Sequence, residues 1–181
     1  MGAVAPPSQA ERGQPVFFFK PADAVVSGDA TAPDANIPYP SGTRGLHHEV
    51  ELVVALGQDA PAGVLAPEST AGLIFAYGVG LDLTRRDLQA AAKAKGLPWD
   101  IGKGFDHSAP VSALLHASDS GDIESLTLAL DSNGECRQQS GLDQLIWNVP
   151  EILHELSKLY ALRAGDLVFM GTPAGVPMNT R

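Results

Sequence analysis

Apolar residues in this chain fall in short runs separated by glycine and proline, which suits strands joined by tight turns better than a helical bundle. After an irregular, Pro- and Ala-rich lead-in over residues 1–14, residues 16–19 (VFFF) predict a short strand. Lys20-Pro21 closes it, because a residue before proline is pushed to extended conformations. Residues 27–45 predict a loop, since Gly28, Pro33, Pro38, Pro40, Gly42 and Gly45 interrupt any regular element. Residues 46–56 predict a strand ending at Gly57. Residues 73–81 predict another, interrupted by Gly78 and Gly80.

Two segments change period. Thr84, three residues before Asp87, predicts a capped helix over the run RRDLQAAAKAK, stopped by Gly96 and Pro98. Asn148, three residues before Glu151, predicts a second helix with Ile152, Leu153, Leu156, Leu159 and Tyr160 as its buried stripe. Between them, residues 123–139 predict a hairpin, with alternating Leu126, Leu128 and Leu130 leading into Asn133-Gly134. LVFM at residues 167–170 predicts a last strand, followed by the turn Gly171-Thr172-Pro173. Strands predominate over two helices, so the expected class is α+β, mostly β. With 181 residues, one domain is expected, spanning residues 15–181.

The strand at residues 46–56 opens on His-His-Glu-Val-Glu. Alternation puts Val50, Leu52, Val54 and Leu56 on one face, and Glu49, Glu51, Val53 and Ala55 on the other. Two carboxylates projecting together repel unless one is protonated or a cation lies between them. Hard divalent cations take such oxygen ligands. On spacing alone, a solvated pair at a strand end is the commoner outcome. A third carboxylate alters the balance, and Asp82, between the strand at 73–81 and the helix after it, is the best placed. Beyond it, Arg86, Gln89 and Lys93 share a helix face by their spacing, and Arg86 could hold a substrate carboxylate. Lys103 stands between two glycines, where the backbone can approach a ligand, although a lysine is more often at the surface. His47 shares the face of the glutamates and His48 points away, both reading as structural or as outer partners of the site; His107, four residues beyond Lys103, is a weaker alternative base, and His116 and His154 read as structural.

Composition narrows the partners. A net charge of −9 and a pI near 4.8 disfavour nucleic acid, which needs clustered Lys and Arg. One cysteine, Cys136, allows no internal disulfide and fits the cytoplasm. Residues 1–13 lack the apolar core of a signal peptide, and no apolar run is long enough to span a membrane, so no membrane partner is expected.

Five ordered blocks carry a resemblance: FFFKPADAVV, IPYPSGTRGLHHEVELVVALG, YGVGLDLTRRDLQ, GLPWDIGKGFDHSAP and VPEILHELSKLYALRAGDLVFMGTPAGV. Over residues 15–176 the chain resembles the fumarylacetoacetate hydrolase family, most closely its small bacterial members that cleave fumarylpyruvate and other acylpyruvates. The resemblance implies a mixed β-sandwich roll with short helices, usually as a homodimer. It implies Glu49, Glu51 and Asp82 as ligands of one Mg²⁺ or Mn²⁺, with Ca²⁺ also compatible. It implies substrate contacts from Arg86, Gln89, Lys103 and Thr172, with Lys103 also stabilising charge in catalysis. The implied reaction is metal-dependent cleavage of a C–C bond in a 2,4-dioxo acid, fumarylpyruvate first, within aromatic catabolism.

In that family the base that activates water belongs to an Asn-Tyr-x-x-His-x-x-Glu segment upstream of the FFFKP block, and these residues contain none. Family members also continue beyond the turn at Gly171-Thr172-Pro173 into further strands, so the domain is expected to be short at both ends. Two alternatives remain: decarboxylation of oxaloacetate through the same enolate, which needs no attacking water, and a catalytically impaired, truncated homologue that keeps the metal site or only the dimer scaffold.

Overall fold

The computed structural model describes residues 12–28 and 35–172. Strand β3 (Val50–Leu56) is the centre of the main sheet, flanked by β4 (Ile74–Leu81) and β10 (Leu167–Phe169), both antiparallel to it. Beyond β4 lie β6 (Ala109–Val111) and then β1 (Val25–Ser27), which pairs with β6 in parallel, while β7 (Leu115–His116) also pairs with β4. Two small antiparallel ladders complete the strands, β2 (Leu46–His47) with β5 (Thr84–Arg85), and β8 (Thr127–Ser132) with β9 (Glu135–Gly141). Among the described residues three α-helices accompany them: α1 (Arg86–Ala94), α2 (Asp100–Lys103) and α3 (Val149–Ser157). The architecture is α+β and mostly β, as the pattern predicts.

The core lies on the Val50, Leu52, Val54 and Leu56 face of β3. There Leu128 of the hairpin and Val149, Ile152 and Leu153 of α3 close over it. Leu153 is fully buried, a contribution on the order of 2 kcal/mol. The opposite face is buried as well: Glu51, Val53 and Ala55 are all within a few per cent of full burial. A Cβ at Gly80 would lie 2.5 Å from Phe169 Cε1 and 2.6 Å from Val53 Cγ2. Glycine at this position therefore lets the Phe169 ring fold across the sheet.

The hairpin turns on Asn133 and Gly134, both at positive φ as a two-residue turn requires. At α3, Asn148 Oδ1 accepts from the Glu151 N–H and Glu151 Oε2 accepts from the Asn148 N–H, each at 3.0 Å, so the expected capping box is present.

Several expectations need correction. Residues 16–19 form no strand and pair with none among the described residues, and Val16 and Phe19 are mostly exposed. The single strand expected over 46–56 breaks at His48 and Glu49 into β2 and β3. Thr84 does not cap α1; it lies in β5, and no side chain caps the helix. Residues Asp100–Lys103 form a helix the pattern did not show. Helix α3 ends at Ser157, which leaves Leu159 and Tyr160 exposed beyond the buried stripe. Leu126 precedes β8 and is exposed. Gly78 and Gly80 do not interrupt β4. The expected lead-in lies outside the described residues up to residue 11, as does Pro173 of the last turn.

Candidate functional site

The β3–β4 register assembles an acidic cluster. Val50 stands opposite Leu81 and Glu51 opposite Gly80, and the Asp82 N–H donates to the Glu49 carbonyl at 2.9 Å. Glu49, just ahead of β3, and Asp82, just after β4, are thereby held side by side. Glu51 projects from β3 toward the end of β10, where the Gly171 N–H donates to its Oε2 at 2.8 Å. One carboxylate oxygen from each of Glu49, Glu51 and Asp82 lies within 4.8 Å of the others.

Three cations surround this cluster. Lys103, at the end of α2 and almost fully buried, donates to Glu49 Oε2 at 2.9 Å, to Thr84 Oγ1 at 2.8 Å and to Asp82. Its Nζ also lies 4.7 Å from the centre of the Phe18 ring, a cation–π distance. Lys20 reaches in from the irregular segment ahead of β1, with Nζ 2.8 Å from Asp82 Oδ1, and donates to the carbonyls of Lys103 at 2.6 Å and Leu83 at 3.1 Å. Arg86 pairs with Glu49 and donates to Gln89 Oε1 at 2.6 Å and to His47 Nδ1 at 3.4 Å.

Burial and neighbours divide the carboxylates. Burial, helped by the charge of Asp82, pushes Glu51 up to about 8 against the Gly171 N–H that favours its anion. Burial would raise Glu49 too, but Lys103 and Arg86 outweigh it and hold Glu49 below the usual range. Burial lifts Asp82 in spite of its two lysines. Desolvation, followed by the charge of Arg86, lowers His47, which disfavours its imidazolium.

The cluster forms part of the wall of a cavity of about 1070 Å³, together with Gln89, Lys103 and Thr172. Arg86 stands behind Glu49 and Gln89 instead of in that wall. The Thr172 hydroxyl donates to the Val50 carbonyl at 2.9 Å. Lys93 is exposed on α1, away from the cluster. His48, His107, His116 and His154 are not in the cavity wall; the half-buried His154 meets the Leu65 carbonyl through Nδ1 at 2.5 Å.

A divalent ion fits this donor set on two counts. All three carboxylates offer hard oxygens, and one oxygen from each converges within 4.8 Å of the others, the spacing a single ion requires. Sequence reasoning missed Lys20, Thr84 and Gln138. Lys20 had a signal, a cation set directly after three phenylalanines, and Gln138 had none beyond its place in a predicted hairpin.

A carboxylate triad with two members buried and Glu49 half-buried, at the mouth of the main sheet and ringed by lysine and arginine, defines a candidate metal-assisted enzyme centre. The profile of the fumarylacetoacetate (FAA) hydrolase C-terminal family matches residues 1–181. The fumarylpyruvate hydrolase of a Ralstonia species is 40% identical over 163 residues, covering 90% of this chain and 81% of that protein. The oxaloacetate tautomerase of Escherichia coli K12 is also 40% identical, over 164 residues, covering 90% and 72%. The crystal structure of Pseudomonas aeruginosa fumarylpyruvate hydrolase in complex with Mn²⁺ and pyruvate superposes with a TM-score of 0.84 at 46% identity, covering 91% of this chain and 70% of that one. The chain belongs to the fumarylacetoacetate hydrolase family, and it is an enzyme of that family's hydrolase type.

Proposed function

We propose that the chain hydrolyses a C–C bond of an acylpyruvate with a divalent metal, fumarylpyruvate being the favoured substrate and fumarate and pyruvate the products. The observation that carries this reading is the convergence of Glu49, Glu51 and Asp82 beside Lys103 in the wall of one cavity. We read these carboxylates as the ligands of Mg²⁺ or Mn²⁺ and the chain as a cytoplasmic homodimer. The Mn²⁺ and pyruvate of the P. aeruginosa relative support the metal and the product. When bound, the ion would supply Lewis acidity toward the oxygens of the 2-oxo acid.

The rest belongs to side chains. Lys103 holds an ammonium beside Glu49 and Asp82, where it can stabilise negative charge that develops on the 2-oxo group as the acyl carbon departs. Lys20 shares the burden on Asp82, so Lys103 is not committed to that carboxylate alone. Gln89, oriented by Arg86, offers a neutral hydrogen bond from the wall. In the balanced reaction the hydroxyl of water joins the acyl carbon, and a proton ends on the carbon released as the pyruvate methyl group.

With Mn²⁺ or Mg²⁺ present, fumarylpyruvate is expected to be consumed at an enzymatic rate. Asp82→Ala should lower both that rate and Mn²⁺ affinity by at least about 100-fold, the effect of losing a ligand exceeding that of an outer-shell partner. Unchanged Mn²⁺ affinity in Glu49→Ala and Glu51→Ala would show that the ligand assignment is wrong.

A second reading is chemistry on oxaloacetate. Among the described residues the cavity wall holds no histidine, and neither decarboxylation nor keto–enol tautomerisation needs activated water. The E. coli relative's tautomerase name favours this direction. Turnover of oxaloacetate without fumarylpyruvate cleavage would select it.

A further inference from the structure

We infer that Gln138, on the hairpin, is a positioning residue for the acidic cluster, an inference that rests on the metal reading above. Gln138 is a buried polar side chain, 4% exposed, on a strand whose neighbours Cys136 and Gln139 face solvent. The β8–β9 register shifts beside Leu130, so that Leu130 pairs with Gln138 and Asp131 with Cys136, leaving Arg137 as the extra residue. Such a bulge re-aims the side chains that follow it. Here it directs an amide under the start of β3.

That amide makes two opposite bonds. Its Oε1 accepts from the Val50 N–H at 3.1 Å, and its Nε2 donates to Thr172 Oγ1. Thr172 Oγ1 in turn donates to the Val50 carbonyl at 2.9 Å. The three bonds close a ring through Val50, Gln138 and Thr172. Val50 is the residue between Glu49 and Glu51, and Thr172 follows the glycine whose N–H holds Glu51.

The ring stands where backbone pairing gives out. Strand β10 ends at Phe169, and the Met170 N–H still donates to the Leu52 carbonyl at 3.0 Å. Two residues further along β3, at Val50, side chains take over: Thr172 serves the carbonyl and Gln138 the N–H. An amide is the side chain that can accept from one partner while donating to another in this manner. A carboxylate cannot donate to Thr172, and an apolar isostere leaves the Val50 N–H buried without a partner. Gln138 therefore sets where the backbone carries the two glutamates relative to each other and to Gly171, without touching any carboxylate itself. Outer partners of this kind tune metal affinity by about 10–100-fold.

The test uses Gln138→Leu, Gln138→Glu and, as a control on the same hairpin, the core variant Leu128→Ala. Mn²⁺ binding is read by electron paramagnetic resonance, and amide hydrogen exchange at Val50 and Gly171 is read in the metal-free protein. We expect Gln138→Leu to weaken Mn²⁺ binding by about 10–100-fold and to speed exchange at both amides. Gln138→Glu, which keeps the acceptor, should fall between it and the parent. Leu128→Ala should lower the melting temperature while leaving Mn²⁺ affinity of the folded protein unchanged. Parental Mn²⁺ affinity in Gln138→Leu, or equal weakening in Leu128→Ala, overturns the proposal. If the parent binds no Mn²⁺, the metal reading fails by itself, and exchange at Val50 then decides the positioning role: unchanged exchange in Gln138→Leu defeats it.

Discussion

Helices α1 and α3 are each nine residues long, and in the sequence the same local device stands ahead of both. At α3 the device is present in the fold. Asn148 and Glu151 exchange hydrogen bonds, and Arg12 reinforces Glu151 with contacts of 2.8 and 3.0 Å. At α1 it is absent. Thr84 accepts a bond from Lys103 instead, and Asp87 accepts from the Thr43 hydroxyl, the Arg44 N–H and the Leu88 N–H. The first N–H of α1 is satisfied by the Gly45 carbonyl at 2.7 Å. A helix cap contributes about 1 kcal/mol, whereas an unsatisfied polar partner of a buried charge costs on the order of 1–3 kcal/mol or more. The buried ammonium, with more to lose, takes the hydroxyl. Local rules hold where nothing competes for the side chain, and they give way beside the charged cluster.

The strongest way to sharpen this contrast is to remove a lysine from each region. Lys103→Met leaves Glu49 and Asp82 buried with less countercharge, so the metal-free protein should lose about 3–5 kcal/mol in urea denaturation. Saturating Mn²⁺ should return most of that loss, because a divalent ion supplies the missing positive charge. Turnover should still fall by at least about 100-fold. Lys158→Met, at the exposed end of α3 and paired only with Glu155 among its described ion pairs, should change stability by less than about 0.5 kcal/mol. Equal effects at the two sites would break the comparison.

Protonation provides a second test. The folded pKa of Glu51 is raised to about 8, so the native metal-free protein holds this proton over a range in which the unfolded chain has released it. Stability from this group is complete below the unfolded value near 4.5 and is lost as pH rises through about 8. Between pH 5 and pH 8 the metal-free parent should lose about 3 kcal/mol relative to Glu51→Gln, measured by urea denaturation at each pH. With Mn²⁺ the trend should reverse, because ligation requires the anion and strengthens as pH rises. A parent and Glu51→Gln that keep a constant difference across this range would show that Glu51 is ordinary.

These energetics bear on how much of the molecule could be read from its sequence. Strand alternation put Val50, Leu52, Val54 and Leu56 on one face and paired Glu49 with Glu51, and the hairpin and the capping box of α3 followed from Asn133-Gly134 and Asn148. Each of those signals is carried within a few residues. Alternation did not show that β3 is buried on both faces, because Glu51 looks like a solvent-facing residue until the Gly171 N–H is brought to it. Lys20 meets Asp82 across a long stretch of chain, and Gln138 reaches Val50 across another, so neither contact leaves a local pattern. The short helix α2 is similar. Its Gly102 packs so closely on Gln89 that a Cβ would lie 3.1 Å from that residue's backbone N, which is a tertiary reason for a helix with little propensity of its own.

The smallest expected effects isolate the helix starts themselves. Asn148→Ala should cost about 1 kcal/mol in thermal or urea unfolding, speed exchange in the first turn of α3, and leave kcat/KM unchanged. Thr84→Val keeps the shape of a fully buried side chain but leaves the Lys103 ammonium one acceptor short. Its stability loss should also be on the order of 1–2 kcal/mol, so stability alone does not separate the two variants. The split lies elsewhere: Thr84→Val should lower kcat by about 10-fold, equivalent to 1.4 kcal/mol, while exchange in the first turn of α1 stays at the parental rate. Thr84→Ser, which restores the hydroxyl, should recover most of the activity. If Thr84→Val instead frays α1 and spares kcat, the threonine is a cap after all, and the difference between the two helices disappears.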